Sequence, residues 1–178
     1  MTTDWGIFSR EPALWASRVP KCARTILLAG WDEGLAEALR LRETGLCVAT
    51  HTPAQHAVAE AKGFEACLCE RIGTPLPWPE GHFDCVVIAG VGEDIANVCE
   101  QARWFAPYLS PRGFILLGIQ NRSYFRREEA GAVPADATFT GIQEAMRDTG
   151  LIVYSIWSDP EAESIAGQAD EFGVIRVN

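Results

Sequence analysis

Apolar runs alternate with helix-spaced apolar positions along this chain and divide it into a regular series of strands and helices. "TILLAG" at 25–30 is a short continuous apolar run, the pattern of a central parallel strand covered on both faces. "GLAEALRLRE" at 34–43 brings Leu35, Ala36, Leu39 and Leu41 to helical spacing, and Gly45 stops that helix. "LCVAT" (46–50) is a second strand. "PAQHAVAEAKG" (53–63) is a helix with Pro53 in its first turn and Gly63 at its end, and "EACLC" (65–69) is a third strand. "GTPLPWPEGHF" cannot be regular, because three prolines remove donors and fix the backbone. "DCVVIAG" (84–90) is a fourth strand and "DIANVCEQARWFAPYL" (94–109) a long helix. "SPRG" (110–113) is a turn and "FILLGIQ" (114–120) a fifth strand. "TGIQEAMRDTG" (140–150) is a helix with a Thr cap, and "LIVYSIW" (151–157) and "FGVIRVN" (172–178) end the series as two strands.

Strand and helix in alternation mean right-handed crossovers and a mostly parallel sheet with helices on both faces. The last two strands have no helix-sized pattern between them, so they form an antiparallel pair at one edge. The expected fold is a three-layer α/β sandwich with a seven-stranded, mostly parallel sheet. Residues 1–178 are read as a single domain, with 1–21 a short helical or irregular lead-in.

Composition narrows the function classes. Apolar residues make up 48% and charged residues 22%, ordinary for a globular chain of this size. The net charge of −9 disfavours nucleic-acid backbones and anionic membranes as partners. No run reaches the roughly 20 apolar residues of a bilayer span. "MTTDWGIFSREPALW" lacks a charged start followed by an apolar core, so the expected location is cytoplasmic. Six cysteines include no CxxC pair. Cys67 and Cys69 would point to one face of a strand, and His51, His56 and His82 are not spaced to complete a metal site. Buried free thiols are expected, and no metal.

Several stretches resemble class I S-adenosylmethionine-dependent methyltransferases. "ILLAGWDEG" sits where that family has its glycine-rich first motif. "TPLPWPEGHFDCVVIAG" is similar to its "LPF, acid, FD, apolar strand" segment, and "EQARWFAPYLSPRGFILLGI" to its "RvLkPGG" turn before the fifth strand. "FTGIQEAMRDTGLIVYSI" is similar to its late helix and strand. The resemblance covers about residues 22 to 157 and implies S-adenosylmethionine as cofactor and a small-molecule acceptor.

Carried over residue by residue, the resemblance places the cofactor against Gly30, Trp31, Asp32 and Gly34 in the first loop. Thr50 and His51 follow the second strand, Glu70 and Arg71 the third, and Ala89 and Gly90 end the fourth. Gly30 and Gly34 match the outer glycines of the motif. Asp32 replaces the central one and Leu28 the strand's usual acid. Asp32 is either a helix cap or a relocated partner for the cofactor's amino group. Thr50 stands where the family has the acid that takes both ribose hydroxyls, and a Thr can make only one such bond. Trp31 either covers the site or fills it. Glu70 is the nearest acid for the adenine amino group, or a solvated charge. Gly90 and Gly92 leave room for a pocket floor. After the fifth strand, Asn121, Arg122 and Tyr124 are candidates for holding an acidic acceptor. No residue is assigned as a catalytic base, since methyl transfer can proceed by alignment alone. Two functions follow. One is methyl transfer to a small acceptor. The other is a non-catalytic methyltransferase-fold scaffold that has lost its cofactor and binds a protein partner.

Overall fold

The computed structural model describes residues 12–92, 95–120, 144, 146–147, 151, 153–157 and 172–177. The elements, in chain order, are α1 (Pro12–Arg18), β1 (Thr25–Ala29), α2 (Glu33–Arg40), β2 (Gly45–Thr50), α3 (Pro53–Ala61) and β3 (Glu65–Leu68). Then come β4 (Phe83–Gly92), α4 (Ile95–Phe105), a 3-10 turn (Ala106–Tyr108), β5 (Leu109–Gln120), β6 (Val153–Trp157) and β7 (Phe172–Val177). Sheet order is β3-β2-β1-β4-β5-β7-β6. The first five strands run parallel, and β7 pairs antiparallel with both β5 and β6.

Strand alternation divides the core into two layers. Ile26 and Leu28 of β1, Val48 of β2 and Val87 of β4 face α1, α2 and α3, where Trp15, Val19, Leu35, Leu39 and Ala59 are buried. Leu27, Ala29, Val86 and Ile88 face the opposite way, against Ala102 and Phe105 of α4, Leu76 and Met146. No helix connects β3 to β4. The proline-rich segment crosses instead, held where Leu76 N–H donates to the Tyr108 hydroxyl at 2.9 Å and Trp78 Nε1 donates to Glu65 Oε1 at 2.7 Å. Among the described residues, no helix is long and apolar enough to cross a membrane.

Three boundaries differ from the expected ones by more than two residues. The helix expected to 43 ends at Arg40, and Leu41 is 84% exposed. Leu41 lies two residues past the buried Leu39, roughly 200° around a helix, so it cannot share that face. The helix expected over 94–109 stops at Phe105. Pro107 has no N–H to continue it, and the chain tightens into the 3-10 turn. The third difference concerns "SPRG". Leu109 already pairs with Phe83 and Phe114 with Cys85, so residues 110–113 form an excursion within β5 opposite the single residue Asp84. Gly113 makes it possible, because a Cβ there would lie 3.0 Å from Phe83 O and from Ser110 O. The lead-in, for its part, contains helix α1, docked by Trp15, Ala16 and Val19. Arg42 fixes its end, its guanidinium donating to Ala16 O and Pro20 O at 3.0 Å each.

Asp84 ties the strand starts together. Its Oδ2 accepts from Arg24 N–H at 2.9 Å and Thr25 N–H at 3.3 Å, and its Oδ1 from the Ser110 hydroxyl at 3.0 Å. The Arg24 N–H, above all, holds this carboxyl below its ordinary pKa against the opposite pull of burial, with Ser110 and Thr25 adding to it. A lowered folded pKa stabilises the fold above the ordinary carboxyl range and ceases to do so as pH falls through the folded value. Asp84→Asn is therefore expected to lower the urea midpoint at neutral pH, and its curve and the parent's should converge in acid. A constant gap across pH would contradict this.

Candidate functional site

The strand order reverses between β1 and β4, and the crevice above the carboxyl ends of those strands is where open α/β sheets place ligands. The first loop forms one wall. Gly30 is buried with φ of 94°, a conformation that a side chain would strain, and its N–H donates to Ala49 O at 2.8 Å. The turn that takes β1 into α2 is thus fixed by backbone geometry.

Asp32 caps α2. Its backbone is extended (φ −127°, ψ 114°), and its Oδ1 accepts from Leu35 N–H at 2.7 Å. The side chain is buried, so the negative end of the cap sits at the positive end of the helix dipole. Replacing Asp32 with Ala is expected to cost about 1 kcal/mol in urea unfolding, and with Gly only a few tenths. Equal losses for the two would show that the carboxylate does not act as a cap.

The other loop residues are also engaged within the fold. Trp31 is half-buried against the α1–α2–α3 layer and meets Phe64 edge-on, with centroids 5.5 Å apart. Gly34 has an ordinary helical φ. A Cβ there would lie 2.9 Å from Pro12 Cγ and 3.5 Å from Asp32 Oδ1, so its missing side chain makes room for the start of α1. Nothing in the sequence signals this contact between residues 22 positions apart. Leu28, at the position of the family's strand acid, is fully buried in the same layer.

Thr50 is fully buried, and its hydroxyl donates to Cys67 O at 3.2 Å across the β2–β3 pair. His51 follows, half-buried, with Nδ1 3.1 Å from Cys69 O. A carbonyl oxygen only accepts, so Nδ1 carries the proton in the neutral ring. Gln55 Oε1 accepts from the His51 N–H at 3.1 Å. Glu70 and Arg71 are both exposed beyond β3. Ala89 and Gly90 lie at a register shift between Ile88 and Val91, a bulge in β4 where it passes the end of β1. Asn121, Arg122 and Tyr124 lie outside the described residues.

Cys47, Cys67 and Cys69 share one face of β2–β3. Burial pushes the Cys47 thiol up to about 12, helped by Glu65, and the Cys67 thiol up to about 11, and it raises Cys69 as well. These thiols stay protonated and inert at neutral pH. No group of His, Cys, Asp and Glu among the described residues could hold a metal ion.

No protein-family model matches the chain, and no curated protein sequence does. Solved structures do. A TehB-like SAM-dependent methyltransferase from Corynebacterium glutamicum is 18% identical, with a TM-score of 0.64 over 94% of this chain and 86% of that one. The class I methyltransferase-like fold is this chain's fold. A Burkholderia thailandensis N1-methyltransferase with bound S-adenosylhomocysteine aligns at 13% identity, TM-score 0.61, over 98% of this chain and 79% of its own. The (4+2)-cyclase SpnF aligns at 14%, TM-score 0.63, over 95% and 79%. At these identities the likeness concerns the fold, and the methyltransferase-like fold by itself does not fix a reaction.

Proposed function

We propose that this methyltransferase-fold protein acts as a binding or assembly subunit and does not use S-adenosylmethionine. The Asp32 cap carries the reading. In the mode the resemblance implies, the α2 N-terminus would receive the cofactor's carboxylate, yet here the chain's own carboxylate already sits on Leu35 N–H. Two anions at one helix end repel, and exclusion of water strengthens that repulsion. The other implied anchors fit no better. Leu28 offers no charge for the amino group, and the buried Thr50 hydroxyl already donates to Cys67 O, leaving it unable to take both ribose hydroxyls. Pro12 fills the space that Gly34 leaves open.

Methyl transfer to a small acceptor has one observation in its favour, the positive-φ Gly30 turn at the switch point. Under that reading Asp32 would hold the cofactor's amino group through Oδ2, His51 and Glu70 would face the nucleoside, and Asn121, Arg122 and Tyr124 the acceptor. Calorimetric titration with S-adenosylhomocysteine decides between the two. The expected result is no saturable heat up to millimolar ligand. Micromolar binding would establish the cofactor site and overturn the subunit reading.

A further inference from the structure

The chain carries a net charge of −9, yet two segments at the end of the sheet opposite the crevice are basic. Residues 18–24 and 110–113 hold Arg18, Lys21, Arg24 and Arg112 and no acid. The fold brings the two segments together through one side chain. Asp84 accepts from Arg24 N–H at 2.9 Å with one oxygen and from the Ser110 hydroxyl at 3.0 Å with the other. Arg112 stands two residues beyond Ser110, in the excursion that Gly113 permits. Lys21 stands three residues before Arg24, in a turn closed by Ala23 N–H on Pro20 O at 3.1 Å. Asp84 thus directs its hydrogen bonds at backbone and hydroxyl donors and forms no ion pair with Lys21, Arg24 or Arg112, although its own charge stays between the two segments. Lys21, Arg24 and Arg112 are all exposed, and no ion pair engages them among the described residues. Exposed Glu43 and Glu80, on the turns leading to Gly45 and His82, bound the patch.

We propose that this basic end is a docking surface for an acidic segment of a partner protein. Two arginine forks and a lysine held on a rigid strand base suit carboxylates, which Arg binds in bidentate pairs. The net charge sets the class of partner. A nucleic acid presents a long array of phosphates that would meet the acidic remainder of the surface. A short acidic peptide feels mainly the charges within a screening length of about 8 Å, and on the two joined segments Lys21, Arg24 and Arg112 outnumber the single carboxylate of Asp84. The surface lies away from the crevice, so the proposal holds whether or not a cofactor binds there.

The test is fluorescence anisotropy of fluorescein-labelled octaglutamate with the full chain, beside a labelled DNA duplex of similar length. Saturable peptide binding is expected, and raising salt from about 50 to about 300 mM should weaken it. The triple variant Lys21→Ser, Arg24→Ser, Arg112→Ser should bind at least roughly tenfold more weakly with its melting temperature little changed. Gly113→Ala keeps every charge but crowds the excursion, and it too should weaken binding. Should that variant fail to fold, the triple variant still decides. Absence of peptide binding at low salt, full affinity in the triple variant, or equal affinity for the DNA duplex would each overturn the proposal.

Discussion

Leu28→Asp is expected to destabilise this protein by about 3–5 kcal/mol at neutral pH, the cost of an uncompensated charge in a core. Leu28 is fully buried at mid-strand, level with Val48 of β2 and Val87 of β4. Its layer contains Leu35, Leu39 and Val48, none of which can pair with a carboxylate. A loss of that size is a large part of the roughly 5–15 kcal/mol that holds a typical domain folded. Burial would raise the new acid's pKa, so the penalty should shrink as pH falls through that raised value and the group becomes neutral. Urea midpoints at neutral and mildly acid pH measure both effects. A variant as stable as the parent would mean that position 28 has access to solvent or to a cation. The consequence for function is that the acid implied at this position by the methyltransferase resemblance cannot be introduced by one substitution, because the layer covers Leu28.

The second large effect is expected at Trp15, which is 4% exposed and is the largest side chain that α1 buries. Trp15→Ala should cost about 3–5 kcal/mol, as large-to-small changes of buried aromatics do. Its particular signature should be local. With α1 loosened, Pro12 leaves Gly34, and amide exchange over residues 30–36 should speed up more than in β4 or β5. Uniform acceleration would indicate that α1 contributes stability without holding the first loop.

How far the sequence revealed this structure depends on the range of the interactions involved. The strands were legible because continuous apolar runs such as Ile26–Ala29 have no alternative to burial on both sides. The α2 cap was legible too, because an aspartate just before a helical stripe bonds locally. Leu41 misled because two residues decide whether an apolar side chain lies on the buried face or opposite it. "SPRG" reads as a turn, yet it is an excursion within β5, because the pairing of Leu109 with Phe83 ahead of it depends on a distant strand. The crevice where the strand order reverses was legible, and the contacts of the residues around it much less so. That Gly34 serves Pro12, and that the Thr50 hydroxyl serves Cys67 O, are tertiary facts with no local signature.

The thiols are distributed so that one of them stands apart. Cys47, Cys69, Cys85 and Cys99 are buried and Cys67 half-buried, while Cys22 alone is exposed. Cys22 is next to Lys21 and two residues from Arg24. A maleimide dye added to the native chain should therefore attach at a single position, without any engineered cysteine. The unaltered protein thus provides its own reporter, located beside Lys21 and Arg24 and remote from the crevice.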